Sequence, residues 1–269
     1  MRRLLLLALL SCLLLGHEPV ARAVGGFGPL MPTSGAPRVV PVLPGTPTAF
    51  FQGSVGFVPG GSGYWTDNGS VGGNWTIYSG SPNLSSGAGI NGYTSVNWAG
   101  AAGFTSGART GASYLTTTNW TIAGVWKYTG SNTGSPSYST TPVIMMDTGQ
   151  YWGLLVNNQT ADPTKVQISL YSYGSGAVYA TATGASGSAS SWHYSVAWQA
   201  GGTCYAQLDG GTASSLSCAA VGSLGSPVYM GSGSSNAFTG SIEELIIYNS
   251  AGGTLPGLLN TYLHLRSGI

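Results

Sequence analysis

Two neighbouring carboxylates, Glu243 and Glu244, are the residues of this chain that first suggest catalysis. Hydrolysis of a glycosidic bond needs two carboxyl groups about 5–9 Å apart, on either side of the bond. Successive side chains of a strand point to opposite faces, so adjacent glutamates are not expected to flank one bond. We interpret one of them as structural, bound to backbone groups at a sheet edge. A catalytic pair assembled from separate loops, such as Asp147 with Asp67, stays open.

Aromatic rings beside polar groups suggest a different chemistry, the binding of sugars. Sugars expose C–H faces that stack on flat rings, while their hydroxyl groups bind polar side chains. In the segment KVQISLYSY (165–173), alternation sends the Val, Ile and Leu side chains to the core. Gln167, Tyr171 and Tyr173 then share the outward face and predict a glycan platform. The alternative is a cross-strand aromatic pair that only stabilises the sheet.

A second pair of rings, Tyr151-Trp152, follows the turn residues 147–150. Because neighbouring strand residues alternate, one of these two rings must face outward. That ring would lie at the rim of a loop, where it could stack on the same ligand. We therefore include both residues in the predicted binding surface.

Other catalytic groups lack their partners. His193 and His264 have no Cys, His or Asp at metal-ligand spacing. The many serines include no G-x-S-x-G elbow, and the sequence contains neither a P-loop nor a C-x-x-C motif. The sequence therefore predicts a protein without catalytic activity.

The N-terminus predicts an export signal. Arg2-Arg3 is a short positive region, residues 4–15 are apolar, and Ala21-Arg22-Ala23 fits a cleavage site. The apolar run is too short to span a bilayer, which needs about 20 residues. We expect residues 1–23 to be removed and the protein to be secreted, to the extracellular space or the periplasm, without a membrane span.

The charge of the chain argues against nucleic acid as a partner. Of eight bases and seven acids, three bases and one acid lie in residues 1–23, which leaves five bases and six acids. Binding to a phosphate backbone needs a basic surface. Charged residues make up only 6% of the chain, and Gly, Ser, Thr and Asn take their place. Together with eight Trp and fifteen Tyr, this composition is typical of a folded strand-and-turn protein with a neutral polar surface.

The two cysteines after residue 23, Cys204 and Cys218, predict a disulfide. They flank the hairpin turn signal LDGGT (208–212), and a turn centred near Gly211 would place them opposite each other. An even number of cysteines in an exported chain supports this pairing. Closing so short a loop would stabilise the fold by roughly 3 kcal/mol.

Strand segments separated by turn residues predict one all-β domain over residues 50–269. Residues 24–49 are rich in Pro and Gly, which favours an extended linker or arm that could contact protein neighbours. The segment Leu255–Arg266 has a helical period. The predicted strands are Phe50–Val58, Thr94–Trp98, Ser113–Leu115, Trp120–Tyr128, Pro142–Asp147, Tyr151–Asn157, Lys165–Tyr173, Ala177–Thr183, Trp192–Trp198, Thr203–Leu208, Ser214–Cys218, Val228–Met230 and Ser241–Asn249.

Four motifs follow one another in the C-terminal part of the chain: WHYSVAW (192–198), YAQLDG (205–210), VYMG (228–231) and FTGSIEELIIYN (238–249). Their order resembles the C-terminal half of laminin-G-like domains in the concanavalin A-like lectin/glucanase superfamily. A shorter motif, GYWTDNGS (63–70), is similar to an opening segment of bacterial and phage members. The resemblance implies a jelly roll, a two-sheet antiparallel β-sandwich with a short C-terminal helix.

The resemblance also implies a ligand and an ion. Domains of this kind commonly hold glycans or other extracellular ligands, although fold alone does not assign a function. Many bind calcium through one or two Asp and backbone carbonyls, which implies a calcium site at Asp67 or Asp147. The E-x-D-x-x-E motif of the superfamily's glucanases is missing.

These observations predict a secreted, non-catalytic binding module that recognises carbohydrate or another extracellular surface ligand. One alternative is a structural component of a cell surface or virion, with the Pro-rich arm as its tether. A second alternative is a glycan hydrolase or lyase with an atypical site.

Overall fold

The computed structural model describes residues 41–60, 62–79, 84–99, 103–139, 141–183, 189–231 and 237–269. The predicted signal peptide (1–23) and most of the predicted arm (24–49) lie outside these residues. The described chain has no regular structure from residue 41 to residue 48, and its first strand begins at Ala49. Regular structure thus starts where the Pro-rich composition ends.

Two antiparallel sheets form a β-sandwich, which confirms the predicted fold class. The strands are β1 Ala49–Gln52, β2 Phe57–Val58, β3 Tyr64–Asp67, β4 Gly73–Ser79, β5 Leu84–Ala88, β6 Thr94–Ala99, β7 Gly103–Thr110, β8 Trp120–Tyr128, β9 Val143–Asp147, β10 Trp152–Asn158, β11 Val166–Tyr173, β12 Ala177–Thr183, β13 Trp192–Ala200, β14 Thr203–Leu208, β15 Ser214–Ser217, β16 Pro227–Met230 and β17 Thr239–Tyr248. The eight-stranded sheet has the order β15-β14-β13-β8-β17-β6-β5, with β1 also paired to β17. The nine-stranded sheet has the order β12-β11-β10-β9-β16-β7-β4-β3-β2.

Aromatic side chains fill the space between the two sheets. Phe51 of β1 contacts rings from the opposite sheet, with centroid distances of 5.2 Å to Trp65 and 5.0 Å to Trp75. A ring of this size buries roughly 150–250 Å², so the tryptophans supply much of the apolar area that holds the sheets together. Five tryptophans are completely buried: Trp65, Trp75, Trp120, Trp126 and Trp152.

The hairpin between β14 and β15 carries the predicted disulfide. Asp209 and Gly210 have positive φ angles of 49° and 70°, as the mirror-image turns of hairpins require. Cys204 and Cys218 are bonded, with Cα atoms 5.8 Å apart, so the predicted disulfide is confirmed. The residue opposite Cys204 in the ladder is Leu216, so the two cysteines are not direct partners as predicted.

The C-terminal helix α2 (Leu255–Ser267) packs on the outer face of the eight-stranded sheet. Its Leu259 and Leu263 join an apolar cluster with Val125 and Ile246 of the sheet. The helix ends at Gly268, whose φ of 71° is readily adopted by glycine. A second, one-turn helix is α1 (Gly111–Tyr114). No helix in the described ranges is long and apolar enough to cross a membrane.

A β-bulge in β17 brings both adjacent glutamates to the same arginine. The pairing of β17 with β8 shifts register between Ile242 and Glu244, which makes Glu243 the extra residue of the bulge. Arg266 Nε of α2 lies 3.4 Å from Glu243 Oε1 and 2.5 Å from Glu244 Oε2. The expectation that the two carboxylates point to opposite faces is therefore wrong, because strict alternation does not survive a bulge.

The buried glutamates nevertheless serve the structure. Both carboxylates have 0% exposure, and Arg266 has 3%. Glu243 Oε2 accepts a hydrogen bond of 2.7 Å from the backbone N–H of Ile90, so one of the pair binds a backbone group as predicted. The predicted position at a sheet edge is wrong, because β17 lies between β8 and β6 inside the sheet. The guanidinium also stacks on the ring of Tyr93, 3.8 Å from its centroid. This cluster ties α2 to the sheet and to the turn after β5.

Removing Arg266 should destabilise the protein strongly. Arg266→Ala leaves two buried carboxylates without their cation, a loss that typically costs about 3–5 kcal/mol. The free energy of unfolding, measured in urea, should fall by an amount in this range. Leu265→Ala is the matched control, because Leu265 is 55% exposed on the same turn of the helix and should change stability by less than about 0.5 kcal/mol. Equal effects of the two variants would contradict this account of how α2 is anchored.

Candidate functional site

Tyr171 lies on the outer face of the nine-stranded sheet, as alternation predicts, but it is covered. The segment between β8 and β9, residues 129–139, crosses this face, and we call it the strap. The ring of Tyr138 in the strap stacks on Tyr171 with centroids 5.4 Å apart and planes inclined by 26°. Tyr179 of β12 stacks on Tyr171 as well, at 5.1 Å. The prediction that Tyr171 forms an open platform is wrong, since its exposure is only 1%.

Two further members of the predicted binding surface are also closed to a ligand. The amide Nε2 of Gln167 donates to the carbonyl of Gly134 in the strap at 3.3 Å, and Gln167 is 8% exposed. Trp152 is completely buried in the core, where its ring lies 5.8 Å from that of Trp120. The prediction that Gln167 and Trp152 face a ligand is therefore wrong, because the strap covers one and the opposite sheet covers the other.

Tyr151 and Tyr173 are brought together at the end of β10 and β11. Their ring centroids are 6.0 Å apart, and the backbone N–H of Tyr173 donates to the carbonyl of Tyr151 at 2.7 Å. Tyr173 is 41% exposed and Tyr151 is half-buried, so Tyr151 is the outward ring of its pair. These two residues keep the access that the predicted site requires.

The register of the nine-stranded sheet aligns one residue from every strand into a single row across its outer face. The register between paired strands determines such a row, so the sequence of a single strand does not reveal it. Its members are exposed or half-buried from β2 to β7, buried from β16 to β11, and half-buried again at β12. In order, the row contains Val58, Tyr64, Thr76, Thr105, Tyr229, Met146, Gly153, Tyr171 and Tyr179.

Four members of this row, on the neighbouring strands β3, β4, β7 and β16, form the candidate site together with Tyr78 of β4. We call Tyr64, Thr76, Tyr78, Thr105 and Tyr229 the track. Tyr78 is 61% exposed, and alternation along β4 places it on the same outer face as Thr76, beside a register shift in the pairing of β4 with β7. Burial raises the pKa of Tyr229 to about 12, with further contributions from Asp147 and Tyr78, so its hydroxyl stays protonated at neutral pH.

The five side chains of the track are uncharged. On the strands of the nine-stranded sheet, the charged side chains are Asp67, Arg109 and Asp147. Both aspartates are buried, at 3% and 0% exposure, whereas Arg109 is half-buried and its positive charge acts on Asp67. The track itself therefore offers rings and hydroxyl groups to a ligand.

Asp67 uses its carboxylate to organise backbone. Its Oδ1 accepts hydrogen bonds from the N–H groups of Phe50, at 2.9 Å, and Gly69, at 2.7 Å. Burial raises the pKa of Asp67, although these two bonds and the positive charge of Arg109 oppose that rise. This carboxylate therefore holds the beginning of β1 and the turn after β3 together.

Asp147 plays the same part at the turn between β9 and β10. Its carboxylate accepts N–H bonds from Gly149 at 3.1 Å, Tyr151 at 2.7 Å and Trp152 at 3.0 Å. Strands β9 and β3 are four steps apart in the sheet, or about 19 Å at the usual strand spacing. The carboxyl groups of Asp67 and Asp147, which the sequence left open as a catalytic pair, are therefore too far apart to flank one glycosidic bond. Within the described ranges, no group of three or more His, Cys, Asp or Glu could hold a metal.

Two other clusters are less suited to a ligand. Trp198 and Tyr205 stack on the outer face of the eight-stranded sheet with centroids 4.8 Å apart and an 8° inclination, and both are half-buried. This is the geometry of a cross-strand pair that stabilises a sheet. His193 Nδ1 lies 2.7 Å from Asp209 Oδ2, but His193 is buried and not open to substrate.

Comparisons with known proteins agree on the fold. No protein-family model matches the chain, and no curated protein matches its sequence. Domain 4 of AbnA, a GH43 extracellular arabinanase from Geobacillus stearothermophilus solved in complex with arabinotriose, is similar to this chain at a TM-score of 0.59 and 14% identity. The match covers 81% of this chain and 98% of that domain. It places the chain among β-sandwich proteins and, at this identity, shows the fold alone.

Two weaker likenesses have TM-scores below one half. The CBM40 module of the Ruminococcus gnavus IT-sialidase, bound to α2,3 sialyllactose, has a TM-score of 0.46 and 12% identity over 62% of this chain and 95% of its own. The binding domain of botulinum neurotoxin DC, in complex with SialylT, has a TM-score of 0.44 and 6% identity over 82% of this chain and 51% of its own.

The sequence contained a signal for the track that pattern analysis missed. In the segments YWTD (64–67) and NWTIY (74–78), alternation around Trp65 and Trp75 places the intervening residues on the outer face. If the two tryptophans are assigned to the core, Tyr64, Thr76 and Tyr78 must point away from it.

The buried carboxyl of Asp147 should make stability depend on pH. Burial raises its pKa from 3.8 to about 6, so the folded protein holds a proton that the unfolded chain releases. This contribution is complete below pH 4 and is lost as the pH rises through about 6. A shift of two units is worth about 3 kcal/mol. Relative to Asp147→Asn, the wild type should lose roughly this much unfolding free energy between pH 4 and pH 7, measured in urea.

Asp162→Asn is the control for this experiment. Asp162 is exposed, and hydrogen bonds from Thr164 lower its pKa, so its pH effect has the opposite sign. A pH profile of Asp147→Asn that parallels the wild type would show that Asp147 is ionised throughout this range.

Proposed function

We propose that this protein is a secreted, non-catalytic carbohydrate-binding module whose ligand lies on the track. The observation that carries the proposal is the row of tyrosine rings and threonine hydroxyls across four neighbouring strands of one sheet, in which Thr76 and Tyr78 are exposed and Tyr64 and Thr105 are half-buried. A rigid sheet holds such groups in fixed positions, so little ordering is needed when a ligand binds. The surface is open and shallow, which suits a chain of sugars better than a small enclosed molecule.

The chemistry of the track matches that of a sugar. The C–H faces of pyranose and furanose rings pack on aromatic rings, here Tyr64 and Tyr78. The hydroxyl groups between these faces can exchange hydrogen bonds with Thr76, Thr105 and the half-exposed Thr66. Thr66 Oγ1 already donates to Asn74 Oδ1 at 3.0 Å, so polar groups along this surface are oriented by one another.

Structural similarity supports the same class of ligand. The arabinanase domain with the same fold binds arabinotriose, a neutral sugar oligomer. The disulfide Cys204–Cys218 fits an oxidising location outside the cytoplasm, in keeping with the predicted export signal. We retain the laminin-G-like assignment as part of this proposal.

The positions of the acids support a binding role over hydrolysis. Glu243 and Glu244 are buried beneath α2, and Asp67 and Asp147 lie four strands apart. Neither pair offers two exposed carboxyl groups at the spacing that a glycosidase needs. We propose that binding needs no calcium, because both aspartates already bind backbone N–H groups.

Glycan-array binding of the full chain tests this proposal. Tyr78→Ala removes the most exposed ring of the track, and the loss of one stacking contact should weaken binding roughly tenfold. Tyr64→Ala should act in the same direction. The unfolding midpoint of each variant establishes that it is folded. The array is run with calcium and with chelator, and equal binding is the expected result.

Two matched tyrosine variants locate the surface. Tyr173→Ala alters an exposed ring at the end of β11, and Tyr205→Ala alters the stacked pair on the opposite sheet. Both should leave binding unchanged. Loss of binding in Tyr173→Ala alone would move the site to the Tyr151–Tyr173 pair. If no glycan binds at all, the structural role at a surface replaces the binding role.

A further inference from the structure

The track has one open end and one closed end. At β2, the edge strand of the sheet, Val58 is 39% exposed and no further strand follows. In the opposite direction, exposure falls to 7% at Tyr229 and to 0% at Met146. The row continues beneath the strap to Tyr171, so the surface is interrupted by a cover and not by the end of the sheet.

The cover occupies the space that a sugar would need. Tyr138 lies nearly parallel to Tyr171 at 5.4 Å, a ring-on-ring arrangement like that of a sugar stacked on an aromatic side chain. A ligand lying along the row from β2 would therefore meet the strap after passing Tyr229.

The strap is held by bonds to several strands. Asn157 Nδ2 donates to the carbonyl of Gly134 at 2.8 Å, and the backbone N–H of Asn158 donates to the carbonyl of Asn132 at 2.8 Å. The N–H of Tyr138 donates to the hydroxyl of Tyr179 at 3.1 Å. With these bonds and the apolar contact of Tyr138, the strap acts as a fixed wall.

The charges near the track indicate whether its ligand is a charged or an uncharged sugar. A sugar acid such as a sialic or uronic acid is usually bound by Arg or Lys, whose donors pair with its carboxylate. Lys127 and Lys165, the half-buried cations on either side of the strap in sequence, lie outside the strands of the track, and the half-buried Arg109 of β7 lies near the buried carboxylate of Asp67. Burying a carboxylate on a neutral surface is unfavourable, so the track selects uncharged sugars.

We infer that the track receives the terminal sugars of a neutral glycan chain, which enters over β2 and stops against the strap at Tyr138. This inference rests on the proposed function and adds the charge class of the ligand and the end of the chain that is recognised. A wall at one end excludes an internal segment, because such a segment must continue in both directions.

The inference is tested by the loading, which we define as the number of protein molecules bound to one polysaccharide chain at saturation. Linear arabinan, xylan, galactan and mannan are each prepared in two lengths that differ about twofold, and polygalacturonate and sialyllactose serve as charged probes. Light scattering gives the number of proteins bound per chain at saturation. Recognition of ends predicts the same loading for both lengths of the neutral glycan that binds. Recognition of internal segments predicts that loading doubles with length.

Tyr138 variants test the wall itself. Tyr138→Ala removes the ring that covers Tyr171 and should let longer chains extend along the row, so that loading rises with chain length. Tyr138→Phe keeps the stacked ring and should behave as the wild type. Both variants are compared for unfolding in urea. If Tyr138→Ala remains folded and its loading still does not depend on chain length, Tyr138 is not the residue that blocks the glycan.

The outcomes separate this inference from the proposed function. Loading proportional to length in the wild type overturns end recognition but leaves a carbohydrate-binding module. Binding only to polygalacturonate or sialyllactose would contradict the inference that the ligand is uncharged. The protein would still be a carbohydrate-binding module. If no probe binds, the proposed function is wrong, and this inference is wrong with it.

Discussion

The outer faces of both sheets carry apolar side chains, and the need to cover them shapes the rest of the molecule. A sandwich buries its inner faces by construction, but apolar groups on the outside need another element above them. On the eight-stranded sheet that element is α2, which packs on Val125, Tyr194 and Ile246. On the nine-stranded sheet it is the strap, whose Tyr138 packs against the outer apolar cluster that contains Met146 and Tyr171. Where the apolar side chains stop, the cover stops as well.

The two covers are fastened by different physical means. Helix α2 is held by an apolar stripe and by Arg266, which pairs with two buried glutamates. Taking these charges out of water is costly, so the cluster gives a specific position to the helix more than it gives net stability. The strap has few apolar side chains and relies on hydrogen bonds from Asn157 and Asn158. In both cases buried polar groups decide where the cover lies.

Much of the strand pattern was predictable from the sequence, and the failures share one cause. Strands such as β8, β12 and β14 were predicted with their observed bounds, because β-branched and aromatic residues alternate there. Strands β3, β4, β5 and β7 were missed. Their segments are short or contain Gly and Ser, so local propensity is weak and pairing with neighbours stabilises them. The strand predicted at Ser113–Leu115 was wrong, because most of that segment lies in the one-turn helix α1.

The candidate site was less predictable than the fold. Alternation assigned Tyr171 to the correct face but could not detect the strap above it, which is 33 residues away in sequence at Tyr138. The track lay in the missed strands, and its alignment depends on pairing between β7 and β16, which are far apart in the chain. Glu243 and Glu244 show the same limit, because a bulge set by pairing with β8 changed the direction of a side chain.

By itself the sequence determined the class of the fold, the disulfide, the C-terminal helix and the neutral composition of the surface. These follow from local periodicity, from the number of cysteines and from the scarcity of charge, none of which needs long-range contacts. Only the tertiary structure decided which tyrosines are open and which are covered, and which residues form a row. The physical reason is that exposure is a property of a residue's neighbours in space, and those neighbours are fixed by strand register and by the elements that cross each sheet.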